Sequence, residues 1–141
     1  MAIMGANLQP DNSAVYDWAI KMVQQSDKFL DSMIAKKDTT YNYGLYKKLN
    51  DLLGKQPHIS LAQVQSITAP ALVLAGDKDV IKEEHTLQIY QNLKKAWLCI
   101  FPGATHMIPE SDPDIFNPVV ARFFSQPYTR PDTKLVFGVK D

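Results

Sequence analysis

The sequence predicts an α/β fold built on a parallel sheet, and three observations support this. Apolar runs of strand length, which suit strands buried on both faces, alternate with segments of helical periodicity. Their order is strand, helices, strand, helix, strand, helix, which is typical of parallel strands joined by right-handed crossovers. The chain has 141 residues, of which 45% are hydrophobic, so it can bury a core.

The first predicted strand lies at the N-terminus. Residues 1–6 form an apolar run that contains Gly5, which indicates a buried strand entering a loop. A buried parallel strand needs neighbours, so we expect the chain to be part of something longer. Residues 13–37 then show helical spacing, and we predict one long amphipathic helix or two abutting ones with Ser13 as the N-cap.

Two further helices are predicted before the next strand. Leucines at helical spacing from Leu45 onward indicate a helix that ends at Gly54. Ser60 and Gln63 fit a capping box, in which each side chain satisfies a free backbone N–H group at the start of a helix. Pro70 then ends the helical pattern.

Two apolar runs, residues 71–75 and 97–101, predict the second and third strands of the sheet. The segment between them, residues 82–93, has helical spacing and acidic residues near its start, which matches the helix dipole. The side chains expected to face inward from this helix are Leu87, Tyr90 and Leu93.

A last helix is predicted over residues 115–124, where Pro118 would either kink it or lie in its first turn. Residues 127–141 form a tail, within which residues 135–139 are predicted to be a short strand.

Titratable residues follow the second and third predicted strands. Asp79 lies four residues after the run 71–75, and His106 lies five residues after the run 97–101. Since ligands bind at the carboxyl ends of parallel strands, we expect both side chains at one rim of the sheet. An Asp that accepts from one ring nitrogen of His leaves the other free to take a proton from a nucleophile.

Two segments that carry these residues resemble the C-terminal signature of α/β-hydrolases. Residues 69–79 match a strand ending in Gly-x-x-Asp, and residues 102–106 match a strand leading to Gly-x-x-His. The resemblance implies that Asp79 is the acid and His106 the base of a Ser-His-Asp triad. It also implies a partial α/β-hydrolase fold, whose three parallel strands are the sixth, seventh and eighth of the family, with flanking helices.

The resemblance divides the chain into four parts. Residues 1–12 would be a strand and loop of the hydrolase core, and residues 13–66 a helical cap-like segment. Residues 67–126 would be the C-terminal core with the Asp and His loops, followed by the tail, residues 127–141.

The nucleophile of the family has no counterpart in this sequence. Its Gly-x-Ser-x-Gly elbow is absent, because no two of the six glycines bracket a serine. None of the serines follows a predicted strand either. We therefore expect the C-terminal portion of a serine-type hydrolase of esters, amides or lactones, which acts on a small molecule only in a full-length form. The alternative is a catalytically inert fragment or truncated protein that self-associates as a homo-oligomer through its exposed sheet edge.

Other titratable residues are weaker candidates for the site than Asp79 and His106. Asp77 is the weaker candidate for the acid, His58 and His85 are expected at the surface, and Cys99 is expected to be a buried, inert thiol. The aromatics of the cap-like segment either line a pocket or simply pack together: Trp18, Tyr41, Tyr43 and Tyr46.

No metal or cofactor is expected. A site made from Glu83, Glu84, His85 and His106 lacks the His-x-x-x-His spacing that sets several ligands on one face. The resemblance implies no cofactor either.

Charge and cysteine content restrict the partners and the compartment. Fifteen basic and fifteen acidic residues are balanced without a block of one sign, which argues against nucleic-acid and membrane-surface partners. No apolar run approaches the roughly 20 residues that span a bilayer. The single cysteine excludes an internal disulfide and favours a reducing compartment, so we expect a cytoplasmic protein.

Overall fold

The computed structural model describes residues 1–130 and 133–139. Within them, three strands form one parallel sheet in the order β1-β2-β3: β1 (Ala2–Met4), β2 (Ala71–Lys78) and β3 (Ala96–Thr105). The helices of the described residues are α1 (Asp17–Ala35), α2 (Tyr43–Lys55), α3 (Leu61–Ser66), α4 (Glu83–Asn92), α5 (Ile108–Ser111), α6 (Pro113–Ser125) and α7 (Thr133–Val136). The predicted α/β architecture with a parallel sheet is confirmed.

The core lies on both faces of the central strand. On one face, Val73 packs in a cluster with Ile89 of α4. On the other face, Leu72 and Leu74 pack with Phe123 of α6. Because side chains alternate along a strand, a strand covered on both faces needs a continuous apolar run, which is what β2 supplies.

The second and third strands extend further than the apolar runs predicted. β2 continues to Lys78 and β3 to Thr105, with a register irregularity between Gly76 and Lys78. A Cβ atom on Gly76 would lie 2.1 Å from the carbonyl oxygen of Ala104, so the two backbones approach this closely only because residue 76 is glycine. Residues 102–105, which lie beyond the predicted strand 97–101, are part of β3.

α1 is a single helix, but it does not begin at Ser13. Both the backbone N–H and the hydroxyl of Ser13 donate to Oδ1 of Asp11, which makes a turn instead of a helix cap. The residue that precedes α1 is Tyr16, whose side chain caps nothing and donates from its hydroxyl to Oε2 of Glu83 at 2.7 Å.

The other two predicted helices of this segment are both present, and α2 begins at Tyr43, two residues before Leu45. α2 runs through Gly54 to Lys55, so the predicted end at Gly54 is wrong by one residue. The chain then leaves in an extended conformation at Gln56. The predicted capping box of α3 is confirmed, since both reciprocal bonds between Ser60 and Gln63 are present.

A polar cluster joins α1 to α2. Lys47 pairs with Asp27 and lies 3.2 Å from Asp31, and the buried Asn50 donates to the carbonyl oxygen of Val23 at 3.1 Å. Among the aromatics, Tyr43 packs edge-to-face against Phe29 and Tyr41. The large apolar side chains of the two helices that face outward include Trp18, Met22, Phe29, Ile34, Leu45, Tyr46, Leu49, Leu52 and Leu53. Polar pairs therefore join the two helices, and the outer surface of the hairpin carries many large apolar side chains among its polar ones.

α4 is rotated relative to the prediction. Leu87 is 36% exposed, whereas His85 and Thr86 are 4% and 2% exposed, so the expectations of an inward Leu87 and a surface His85 were both wrong. Leu93 is buried as expected. A search for apolar periodicity could not find His85, because a backbone N–H group of a distant segment satisfies its ring.

The C-terminal region contains a helix where a strand was predicted. α6 is confirmed but begins at Pro113, and Pro118 lies inside it. Residues 133–136 form α7, so the predicted strand 135–139 is wrong. Residues 131–132 and 140–141 of the predicted tail lie outside the described residues. None of the described helices combines the length and the hydropathy that crossing a lipid bilayer requires.

Candidate active site

Asp79 and His106 lie side by side at one rim of the sheet. The last paired residues of β2 and β3 are Lys78 and Thr105, so the residues that follow them emerge together. Nδ1 of His106 is 2.8 Å from Oδ1 of Asp79. The structure therefore brings the two predicted residues together, as parallel neighbouring strands require.

The carboxylate of Asp79 is held from several sides. Its side chain is 0% exposed, and besides the His106 ring it accepts the backbone N–H of Ile81 at 3.1 Å and that of Gly76 at 3.4 Å. Burial by itself raises the pKa of Asp79, but the bonds from His106 and the backbone lower it further than burial raises it. The net pKa lies below its ordinary value, so this carboxyl is ionised at neutral pH.

The ring of His106 is oriented by that carboxylate. An ionised carboxylate can only accept, so Nδ1 of His106 carries the proton that is donated to Asp79. In the neutral ring, Nε2 then holds a lone pair. The bond to Asp79 raises the pKa of His106, and partial burial offsets part of that rise. The ring is still 42% exposed, so it can be reached from outside.

Gly5, which the sequence indicates only as the point where a strand enters a loop, forms a wall of this site. It follows β1, has a φ of +54°, and donates its N–H to the carbonyl oxygen of Leu74 at 2.9 Å. A Cβ atom there would lie 2.5 Å from both Cε1 and Nδ1 of His106 and 3.2 Å from Oδ2 of Asp79. The signal in the sequence was a glycine directly after an apolar strand, at the same rim as the two polar residues.

The segment that precedes α1 is tied to the loop that carries Asp79. The N–H of Tyr16 donates to the carbonyl oxygen of Val80 at 3.1 Å, and the N–H of Lys82 donates to that of Ala14 at 2.9 Å. Val15 and Ile81 form an isolated antiparallel bridge. The helical hairpin therefore begins next to the Asp–His pair.

Asp77, the alternative acid, has a different partner. Its Oδ1 accepts the backbone N–H of Gly103 at 2.8 Å, which ties the end of β2 to the extended part of β3. Of the two carboxylates, Asp79 is the one that reaches His106.

The remaining candidates lie away from the pair. His58 is exposed as expected, whereas Cys99 is only partly buried, and burial raises the pKa of its thiol. Among the described residues, no three His, Cys, Asp or Glu side chains come together in a way that could hold a metal ion. No hydroxyl of the described part of the chain is hydrogen-bonded to His106.

Replacing Gly5 with alanine should separate His106 from Asp79. The methyl group would occupy the space of the imidazole ring, and a side chain on a left-handed backbone costs about 1–2 kcal/mol. The ring is the movable partner, so we expect it to leave Asp79 and its pKa to fall toward the ordinary value. An NMR pH titration of the His106 ring signals measures this.

Gly103→Ala is the matched control, since Gly103 also has a positive φ, of +71°, but no atom of residues 1–130 or 133–139, apart from its own and those of its two chain neighbours, lies within 4 Å of its added Cβ. Gly103→Ala should lower the free energy of unfolding by a comparable amount and leave the pKa of His106 unchanged. Equal effects of the two substitutions on His106 would mean that backbone strain, not contact with the ring, was the cause.

Comparison with known proteins places the fold. The chain is similar to MGS-M2, an α/β hydrolase from a Medee basin deep-sea metagenome library, with a TM-score of 0.70 and 13% identity over 94% of this chain and 58% of that one. It is also similar to the putative non-heme bromoperoxidase BpoC of Mycobacterium tuberculosis, with a TM-score of 0.64 and 17% identity over 88% and 56%.

A third similar structure is the 2-hydroxy-6-oxo-6-phenylhexa-2,4-dienoate hydrolase of a Rhodococcus strain, with a TM-score of 0.61 and 14% identity over 89% and 54% of the two chains. No family model and no curated protein matches the sequence. The chain has a partial α/β-hydrolase fold, and it spans between 54% and 58% of the length of these three structures.

Proposed function

We propose that this chain is the acid- and base-bearing portion of a serine-type α/β-hydrolase that cleaves a small ester, amide or lactone. The observation that carries the proposal is the 2.8 Å contact between Asp79 and His106 at the carboxyl ends of adjacent parallel strands. A partly exposed imidazole fixed by a buried carboxylate is the arrangement that general-base activation of a hydroxyl needs.

In the proposed reaction, Nε2 of His106 takes the proton of a serine hydroxyl while the serine oxygen bonds to the carbonyl carbon of the substrate. The imidazolium that forms is stabilised by the ionised Asp79. His106 then gives the proton to the leaving oxygen or nitrogen, and the bond from that atom to the carbonyl carbon breaks. In the second half, His106 takes a proton from water, whose oxygen bonds to the acyl carbon. The bond between the serine oxygen and the acyl carbon then breaks as His106 gives the proton to the serine oxygen, and the acid product leaves.

The serine is proposed to come from polypeptide other than these 141 residues. Two observations support this: the sequence contains no Gly-x-Ser-x-Gly, and the chain covers only between 54% and 58% of the three similar structures. The outer surface of the α1–α2 hairpin, with its large apolar side chains, and the unpaired side of β1 are surfaces that additional polypeptide would cover. In this proposal, residues 13–66 act as a cap that excludes water and shapes the pocket for the small-molecule substrate.

The test compares this chain with a longer product that includes whatever is encoded in frame upstream of Met1. The longer product should react with a serine-directed fluorophosphonate and hydrolyse a chromogenic short-chain ester. His106→Ala should abolish both, whereas His58→Ala at the exposed histidine should abolish neither. The 141-residue chain alone should do neither. If the 141-residue chain is labelled and the labelling depends on His106, the proposal that the serine lies outside this chain is wrong. If the longer product is still labelled after His106→Ala, the proposed role of His106 as general base is wrong.

The second candidate is the inert, self-associating chain, favoured by the exposed apolar side chains of α1 and α2. In the same experiment it predicts no labelling of either product and an apparent mass in sizing chromatography well above the 15.9 kDa of one chain. A monomer at micromolar concentration would exclude it.

A further inference from the structure

His85 is a buried polar residue for which the proposed reaction has no use. It lies in the first turn of α4, is 4% exposed, and its Nε2 is 2.9 Å from the backbone nitrogen of Leu8. A backbone N–H can only donate, so Nε2 of His85 accepts, and the ring is neutral with its proton on Nδ1. A ring with its proton on Nε2 could not accept the N–H of Leu8.

The bond from Leu8 fixes the far end of the segment that forms the wall of the site. At the near end, Gly5 donates to the carbonyl oxygen of Leu74. At the far end, the N–H of Leu8 donates to His85, and its carbonyl oxygen accepts the N–H of Ile59 at 2.9 Å. The leucine side chain is buried in the cluster beneath. Residues 5–8 are thus held at both ends, and one of these ends contacts the His106 ring.

Burial disfavours protonation of His85, which would remove its accepting lone pair, more than the nearby carboxylates favour it. Burial lowers the pKa of His85, while the carboxylates of Asp11 and Glu84 raise it by a smaller amount. The net direction is downward, so the ring stays neutral at and above neutral pH. A lysine or arginine could not serve here, because neither side chain has a hydrogen-bond acceptor.

We propose that His85 is a positioning residue for His106: by accepting the N–H of Leu8 it keeps residues 5–8 against the imidazole ring and so keeps Nδ1 of His106 on Asp79. His85 lies six residues after Asp79, so a single loop and helix turn carries both the acid and the clamp. The role concerns the pair on which the proposed function rests. The test measures the pKa of the His106 ring and not turnover, so the positioning role of His85 and the proposed hydrolase function can each fail without the other.

The test is an NMR pH titration of the three histidine rings in the 141-residue chain. His85→Met replaces the accepting ring nitrogen with a thioether, which is only a weak acceptor, and keeps an apolar filling of similar length. It should lower the pKa of His106 toward its ordinary value of about 6.5. His85→Gln, whose amide oxygen can accept the N–H of Leu8, should restore the raised value. A raised pKa of His106 that is unchanged in folded His85→Met would overturn the proposal.

Thr86→Val is the matched control, since Thr86 is the next residue of α4, is 2% exposed, and its hydroxyl has no hydrogen-bond partner among the described residues. It changes the buried face of α4 without touching Leu8 and should leave the His106 titration unchanged. If it shifts His106 as much as His85→Met does, the effect is general repacking of α4 and the proposal fails.

The wild-type protein gives a reading that needs no folded variant. When His85 protonates at acid pH, Nε2 can no longer accept, and Leu8 loses its partner. The Cε1–H signal of His106 should therefore show a second, smaller inflection at the pH where His85 titrates, together with faster hydrogen exchange at the Leu8 amide. A His106 signal that passes through the titration of His85 without a change would contradict the proposal.

Discussion

Gly76→Ala is expected to lower the free energy of unfolding by about 3 kcal/mol or more, by forcing β2 and β3 apart. The new methyl carbon would lie 2.1 Å from the carbonyl oxygen of Ala104 and 2.9 Å from that of Thr105. These are backbone atoms of a paired strand, so no rotamer change can relieve the contact. Because His106 directly follows Thr105, the displacement would also disturb the Asp–His pair. Urea unfolding followed by far-UV circular dichroism measures the loss as a lower midpoint.

Gly44→Ala is the control for the loss of glycine itself. Gly44 lies in the first turn of α2, and an added Cβ would be 3.7 Å from Oδ1 of Asn42, an ordinary contact. In a helix, alanine is favoured over glycine by about 0.5–1 kcal/mol, so this variant should be as stable as the wild type or more so. If Gly76→Ala unfolded at the wild-type midpoint, the close approach of the two strands would not be what requires glycine.

The positions of the three strands could be predicted from the sequence, but the ends of two of them could not. Buried parallel strands need apolar residues at every position, and residues 71–75 and 97–101 supply them. Residues 76–78 and 102–105 are glycine, aspartate, lysine, proline, alanine and threonine, a composition that favours turns. They pair across a register irregularity all the same, because Gly76 lets the backbones meet and Asp77 binds the N–H of Gly103. Such a pairing depends on tertiary contacts that local composition does not encode.

The site divides in the same way. Asp79 and His106 could be found because each follows an apolar run, and the carboxyl ends of parallel strands share one rim. Gly5 could be recognised only as a glycine at that rim, because its contact with His106 comes from a strand far away in sequence. His85 was misplaced at the surface because its partner, the N–H of Leu8, is 77 residues away. The two residues to which the proposed chemistry is assigned could be found in the sequence, whereas the contacts made by Gly5 and His85 could not.

Asp79→Asn should lower the pKa of His106 below its ordinary value. The bond to Asp79 is the largest cause of its raised pKa, and burial, which lowers it, would remain. An amide can also donate from its nitrogen to Nδ1, which would move the ring proton to Nε2 and remove the lone pair that a base needs. In a longer form that carries the proposed serine, loss of the correct tautomer should decrease kcat by about 10⁴-fold. NMR titration of His106 measures the first effect, and ester hydrolysis measures the second.

Asp77→Asn is the matched control, because it makes the same change of side chain two residues earlier, at a carboxylate that accepts from Gly103 and does not reach His106. An asparagine oxygen can still accept that N–H, so the His106 titration should be unchanged. An equal fall in the pKa of His106 in both variants would mean that the field of nearby charge, and not the direct bond, raises it.

A comparison of the wild type with Asp79→Asn also measures how the stabilisation from the Asp79–His106 pair depends on pH. The pKa of His106 is raised above 6.5. The contribution of His106 to the free energy of unfolding is therefore complete below about pH 6.5 and is lost as the pH rises through the raised pKa. The pKa of Asp79 is lowered below 3.8, so its contribution is complete above about 3.8 and is lost as the pH falls through the lowered value. The difference in unfolding free energy between the wild type and Asp79→Asn should therefore be largest between about pH 4 and 6.5 and should narrow on either side. A difference that stays constant from pH 3 to 9 would mean that the two side chains touch without sharing a charge, and a general base oriented by an ionised acid would then have no physical basis in this fold.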